Sequence, residues 1–412
     1  MTAPKTEKLY LNDPYTVTFR AKVLESNAGD GGRAAVVLDR SCFYPDSGGQ
    51  TPDTGTIGQA AVVDVQEGDG ETVVHFVDAT RGSPVPAAGE EVECAVDWSR
   101  RFDHMQQHTG QHVLSRAFIQ AGGLHTVSFH LGEEACTIDL EGSGFSEEVA
   151  ESAEILANST IVQNRPVTIR TLPVSRLDLI EDLELRRALP EGVTEARLVE
   201  VENFDVIPCC GTHVRSTGEL GQIKIIRTEK ARGLQRVHFK AGERAMRDYR
   251  GKHDLVQLLG NKLTTSAADI VDKVDKLSAE NQSARREIKR LSQALAEFET
   301  ALLLAGQGEQ AGTRVIVRYF ADRGDEFLRM VSVALKKEPD TVAVLGAGTG
   351  CVVCSASDGV SVDFGPLAVE PAKAMGGSGG GKGPFAQLKL PADSDVSQFV
   401  EDIANNVKRS IS

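Results

Sequence analysis

The chain reads as a multidomain α+β protein, with an N-terminal small β-barrel, an α+β domain, a long helical arm and a C-terminal α/β domain. Three observations predict this. β-Branched runs broken by Gly, Asp, Asn and Pro fill the first 98 residues, an apolar heptad seam runs from Ile270 to Phe298, and strand and helix patterns mix beyond residue 306. At 412 residues the chain exceeds one ordinary core, and two to four domains are expected.

Residues 1–98 contain "YTVTFRAKVLES", "RAAVVLDRS", "QAAVVDVQEG", "ETVVHFVDA" and "EEVECAVDW", the pattern of a small barrel or sandwich. A second domain, 99–250, opens with a helix on which Phe102, Met105, His108, His112, Val113 and Phe118 recur near helical spacing. It continues with strands such as "HTVSFHLG", "ACTIDLEG" and "RPVTIRTLP" around a helix at "SEEVAESAEILANSTIVQN". In the arm, 251–305, Ile270, Val274, Leu277, Asn281, Ala284, Ile288, Leu291, Leu295 and Phe298 alternate steps of four and three. That is a coiled-coil seam with a polar residue able to fix register, and it suits a homodimer arm or an intrachain hairpin equally. In 306–412, "TRVIVRYF", "DTVAVLGAG" and "GCVVCSAS" read as strands, and "GDEFLRMVSVALKK" and "VSQFVEDIANNVKR" as helices.

No apolar run reaches the roughly 18 residues of a membrane span, and no secretory h-region opens the chain. Seven cysteines without framework spacing suit a reducing compartment, so a cytoplasmic protein is expected. The net charge of −14 argues against a non-specific nucleic-acid coat. Locally, however, ten basic residues between Lys224 and Lys252, Arg232 and Arg236 among them, face only Glu229, Glu243 and Asp248 within that segment. This suggests a phosphate-facing surface.

The strongest chemical signal is "RFDHMQQHTGQHVLSRAF", where His104, His108 and His112 follow one another at intervals of four. Side chains at i and i+4 share a helix face, so two such imidazoles can reach one zinc ion. The glutamate that a zinc peptidase places after its first histidine is missing, since Met105 and Thr109 stand there. About a hundred residues on, "DVIPCCGTHVRS" holds Cys209 and His213 at the same spacing. A thiolate and an imidazole supply what a histidine pair lacks, with Gly211 easing the turn between them. A core cysteine and an incidental histidine would give the same letters.

These motifs resemble the alanyl-tRNA synthetase editing-domain family, and in particular its free-standing alanyl-tRNA editing proteins in a long form. H-T-x-x-H-V-L and C-x-G-T-H-V look like that family's paired zinc motifs. By position the resemblance implies His108, His112, Cys209 and His213 as ligands of one Zn²⁺ per chain. His104 is left as a partly exposed residue or a hydrogen-bonder, and Cys210 as a packed thiol. "FYPDSGGQTPDTGTI" is similar to the glycine-rich signature of the family's barrel, placing Gly48, Gly49 and Gln50 near the tRNA acceptor end. The tripeptide matches that of peptide-chain release factors, but its flanks belong to the editing family. Thr126 falls where the family carries a serine-sensing hydroxyl. "GGSGGGKGPFAQ" is similar to the glycine motif of the synthetase C-terminal domain, making Gly376, Gly377, Gly379, Gly380, Gly381 and Lys382 tRNA contacts through a nest of backbone N–H groups. As a phosphate loop it lacks the Ser or Thr after Lys382, so ATP is not expected. Cys351 and Cys354 have zinc-like spacing without a second donor pair and read as buried thiols.

The implied activity is zinc-dependent hydrolysis of mischarged tRNA(Ala), chiefly Ser-tRNA(Ala) with Gly-tRNA(Ala) as a second candidate. An aminoacylation domain is not recognisable, so charging of tRNA is not expected. The catalytic residues are not identifiable from the letters. Two alternatives stand beside this reading: a non-catalytic, zinc-stabilised tRNA-binding or assembly module, and editing of Ser-tRNA(Thr).

Overall fold

In a computed structural model of the chain, residues 5–28, 32–80, 84–180, 183, 192–306 and 312–411 are described. They form two compact units, 1–258 and 259–412. The alternating runs of the N-terminal part become β1 (Thr18–Ala28), β2 (Arg33–Leu38), β3 (Gly55–Ile57), β4 (Ala60–Glu67), β5 (Val73–Asp78) and β6 (Glu91–Val96). They close into an antiparallel barrel in the order β1-β2-β5-β4-β3-β6. Closure removes both sheet edges, and Val23, Val36, Leu38, Phe43, Ile57, Val65 and Val77 fill the interior.

That interior also encloses one titratable ring. His75, on β5, is fully buried; its Nδ1 lies 3.0 Å from the Val36 carbonyl, and its Nε2 lies 2.8 Å from Ser41 Oγ. Nδ1 can only donate to that carbonyl, which leaves Nε2 of the neutral ring to accept from the Ser41 hydroxyl. Burial lowers its pKa to about 4. The unfolded chain therefore binds the proton first as pH falls. This contribution is complete above about pH 6.5 and is lost toward pH 4, on the order of 3 kcal/mol in all. A His75→Gln variant is expected to show a flatter dependence of its urea midpoint on pH across that window.

α1 (Trp98–Gly122) begins directly after the barrel, capped by the Asp97 carboxylate, which accepts from the Arg100 N–H, and closed by Gly123 at φ +63°. It is buried on nearly every side from His104 to Ser115, so its apolar face is not separated from a solvent face. The polar groups this buries are paired. Gln107 donates to the Ala241 carbonyl at 2.9 Å and accepts from its N–H at 3.0 Å, acting as an extra strand edge. Around α1 stand β7 (His125–Leu131), β8 (Cys136–Glu141), α2 (Glu147–Val162), β9 (Val167–Pro173), β10 (Glu195–Val201), β11 (Asp205–Pro208), β12 (Ile223–Ala231) and β13 (Leu234–Ala241). The strands make two antiparallel sheets, β12-β13-β8-β7 and β9-β10-β11. α3 (Gly242–Leu263) follows.

The basic segment differs from its sequence reading. Arg236 grips Asp139 with bonds of 2.7 and 2.9 Å, Arg244 pairs with Asp103, Lys224 with Glu154 and Lys240 with Asp248. Three of these four acids lie far off in sequence, which is why counting the segment's own charges overstated its excess. Arg232 stays exposed at the β12–β13 turn, with φ at +53°.

In the second unit α4 (Ile270–Ala305) is one continuous helix. Its last turns pack on α5 (Asp325–Lys336), whereas Val274, Leu277, Ile288, Leu291 and Phe298 of the seam are exposed. β14 (Arg314–Phe320), β15 (Thr341–Ala347), β16 (Cys351–Ala356), β17 (Ser378–Lys382) and β18 (Phe385–Lys389) form a sheet in the order β14-β15-β16-β18-β17, with α6 (Val396–Ile411) on it. Cys351 and Cys354 are buried in β16. The glycine motif is not a nest. Its core is the edge strand β17, because a Cβ at Gly379 or Gly381 would come within 2.3 Å of a carbonyl oxygen on β18. Only glycine lets the strands approach so closely. No described helix is long and apolar enough to cross a membrane.

Candidate metal centre

Two separate pieces of chain meet at α1. The 3.6-residue period places His108 and His112 on one face, and the turn after β11 brings Cys209 and His213 against it. The ligand atoms of all four lie within 4.8 Å of one another, and all but Cys209 are buried. Cys209 Sγ is 3.4 Å from His108 Nε2 and 3.3 Å from His213 Nε2. Zinc bonds of 2.0–2.3 Å at tetrahedral angles require donor separations of about 3.3–3.6 Å, the range of these two Cys209 separations. Burial, then the neighbouring His108 and His112, hold the His213 pKa well below its usual value, so it is neutral and able to ligate.

The supporting contacts choose the ligating nitrogen. Gln50 Oε1 lies 2.9 Å from His108 Nδ1, and Thr109 Oγ1 lies 3.0 Å from His213 Nδ1. Each partner occupies Nδ1 and leaves Nε2 facing Cys209, as outer-shell hydrogen bonds do in metal sites. Gln50 also donates to Thr212 Oγ1 at 2.9 Å, so one amide ties the glycine-rich segment to both halves of the centre. Gly48 and Gly49 turn that segment at φ +59° and +83°, and a Cβ on Gly49 would stand 2.9 Å from the Phe129 ring. Gly211 is required for a different reason from the one its position suggested. A Cβ there would lie 2.2 Å from the His108 ring, so space, not backbone freedom, demands glycine.

The family comparisons agree with this architecture. Residues 2–100 match the model of class II (A) tRNA synthetases, 196–238 that of the threonyl and alanyl tRNA synthetase second additional domain, and 312–409 the DHHA1 domain. The alanyl-tRNA editing protein AlaX-L of Pyrococcus horikoshii is 30% identical over 398 residues, 94% of this chain and 95% of that protein. The chain belongs to the alanyl-tRNA editing protein family. Alanine–tRNA ligases of Pyrococcus abyssi and Ignicoccus hospitalis are also 30% identical, over 98% and 97% of the chain, but the chain spans under half of their length, 44% and 43%.

For a member of this family, the other predicted residues fall in separate places. His104 is buried beside the centre, not partly exposed, with Nε2 3.1 Å from Thr51 Oγ1; burial, then Arg100, lower its pKa to about 4. Cys210 is exposed, not packed, because the turn that points Cys209 inward points its neighbour out. Thr126 is buried on β7 and bonded to Ser115, outside the four-donor cluster. Arg232 and Arg236 lie on the β12–β13 hairpin, and the 376–382 glycines belong to the second unit. Sequence reasoning missed Gln50's grip on His108, and also Thr109, Gln111, Ser115 and Thr212. Only Thr109 and Gln111, inside H-T-x-Q-H, had a local signal, as the letters between two ligands.

Proposed function

We propose that the chain is a trans-editing hydrolase that cleaves the ester of mischarged tRNA(Ala), chiefly Ser-tRNA(Ala), with Gly-tRNA(Ala) as a second substrate. One Zn²⁺ would be held by His108, His112, Cys209 and His213. The observation that carries the reading is the convergence of these four donors in a chain whose relative of matching length is named an alanyl-tRNA editing protein.

A bound zinc ion supplies Lewis-acid polarisation and orients oxygen or nitrogen ligands. The chain's own groups do the rest. Gln50 and Thr109 keep His108 and His213 in register, so the donor set is formed before substrate arrives. The glycine turn at Gly48 and Gly49 brings backbone close to the centre without side chains, the space a terminal adenosine needs. Thr126 supplies a hydroxyl for reading the amino acid. The Gly376, Gly377, Gly379, Gly380, Gly381 and Lys382 edge, together with Arg232 and Arg236, would hold the tRNA elsewhere. Gly380 supports this: a Cβ there meets nothing within 4 Å, so the fold does not demand glycine at that position. The exposed seam of α4 suits self-association through the arm, and a cytoplasmic location fits the substrate.

A four-ligand shell is more often structural than catalytic, and this favours the second reading, a zinc-stabilised tRNA-binding module without activity. Incubating the protein with Ser-tRNA(Ala), Ala-tRNA(Ala) and Ser-tRNA(Thr), with and without a chelator, separates these. Serine released from the first alone, and lost on chelation, is expected. Release from the third in preference moves the substrate to tRNA(Thr), and a metal-replete protein that releases nothing leaves the binding module.

A further inference from the structure

The turn that carries Cys209 is held by one arginine of the neighbouring strand. Arg197, on β10, accepts the Cys209 N–H at its backbone carbonyl, at 3.0 Å, and its Nη1 donates back to the Cys209 carbonyl at 2.5 Å. Its Nε donates to the Leu11 carbonyl at 3.2 Å, so the same guanidinium ties in the N-terminal segment. Nη2 is buried and has no hydrogen-bond partner among the described residues. Arginine stays charged in proteins. A half-buried cation therefore stands here with its hydrogen bonds on neutral carbonyls and none on a carboxylate among the described residues.

Keeping such a charge is costly, and the ordinary remedy is an Asp or Glu beside it. The fold sets a thiol there instead. Burial pulls the Arg197 pKa down, and of the groups that oppose this the Cys209 sulfur comes first, ahead of Cys210 and the phenols of Tyr44 and Tyr10. On its other side the same sulfur faces Nε2 of His108 and of His213, and it accepts from the Gly211 N–H at 3.4 Å. Cys209 thus has imidazole donors in front of it and a fixed positive charge behind it.

We propose that Arg197 is a positioning residue of the metal centre, fixing the Cys209 turn through its backbone and setting positive charge against the Cys209 thiolate, so that the sulfur is shared between the arginine and the ion. This rests on the four-donor reading above and not on the choice of substrate. A thiolate shared in this way gives less of its charge to the ion it binds. An ion that receives less ligand charge polarises an oxygen ligand more strongly. Arginine suits the task better than lysine, because its planar fork bonds two carbonyls while its charge stays beside the sulfur.

The test uses the full chain, freed of metal and refilled with Co²⁺, whose thiolate ligand gives a charge-transfer band in the near ultraviolet. A positive charge beside the sulfur lowers the energy of its lone pairs and moves that band to shorter wavelength. Arg197→Met, which keeps the bulk and removes the charge, is expected to move the band to longer wavelength by more than the spread among repeat preparations. Arg197→Lys, which keeps the charge and loses the fork, is expected to return it to the wild-type position. If Arg197→Met gives no soluble protein, Arg197→Gln, which can still donate to the Cys209 carbonyl, is expected to show the same shift. Loss of the band in Arg197→Met with recovery in Arg197→Lys supports the proposal, and loss in both overturns it. A band in the same place in wild type and Arg197→Met also overturns it, leaving Arg197 as a tie between strand and turn. A wild-type chain that shows no such band removes Cys209 from the donor set, a failure of the four-donor reading itself, which separates the two.

Discussion

Replacing Arg101 with methionine is expected to destabilise the protein by about 3–5 kcal/mol, the cost of leaving a buried charge without its partner. Arg101 and Asp53 are both fully buried, and the Arg101 Nε lies 3.2 and 3.1 Å from the two carboxylate oxygens. Arg101 also donates to the carbonyls of Pro14 and Cys42, and Asp53 accepts from the Tyr44 N–H at 2.6 Å. The pair therefore pins the glycine-rich segment, on which Asp53 and Gln50 both lie, to the first turn of α1. Urea unfolding followed by Trp98, the only tryptophan in the chain and three residues before Arg101, measures the change. An Arg101→Met, Asp53→Leu double variant is expected to regain much of the loss, because no charge is then stranded. A shift under about 1 kcal/mol in the single variant, the range of exposed pairs, would show that water reaches Asp53.

What the letters disclose and what they hide follow from how far each interaction reaches. The i, i+4 spacing of His108 and His112 is a local fact, and so is the turn that separates Cys209 from His213. That the two pairs meet depends on packing across about a hundred residues, and no periodicity encodes it. In the letters, Gln50 stands out only through the glycines before it. Its grip on His108 is a contact between segments 58 residues apart, invisible without the fold. The same limit explains the basic segment, where Arg236 and Arg244 look unopposed until Asp139 and Asp103 arrive from other strands and from α1. The glycine motif is hard to read for another reason. The letters suggest a nest of backbone N–H groups, whereas at Gly379 and Gly381 the fold uses the lack of a side chain to bring two strands together. The barrel and the long helix were plainest, because alternation and heptads repeat over many residues.

Cys209→Ala is expected to lower bound zinc far more than Cys210→Ala does, although the two residues are neighbours. Cys209 Sγ sits within 3.4 Å of two imidazole nitrogens and within 3.4 Å of the Gly211 N–H, which can donate to a thiolate. It is the only member of the set that can carry a negative charge, so it alone offsets the ion's double positive charge in a largely buried site. Losing a supporting hydrogen bond typically costs 10- to 100-fold in metal affinity, and losing this ligand is expected to cost more than about 100-fold. Cys210, exposed on the far side of the same turn, has no such geometry and is expected to be replaced with little change in metal content. Metal analysis after dialysis against a weak chelator gives the comparison directly. Equal zinc in the two variants would remove the thiolate from the donor set, leaving three imidazoles around the ion and an open fourth position. The objection that a closed shell is structural would then disappear. The cysteine result thus bears on mechanism as well as on composition: strong loss keeps the four-donor shell and places the burden of catalysis on how that shell admits substrate.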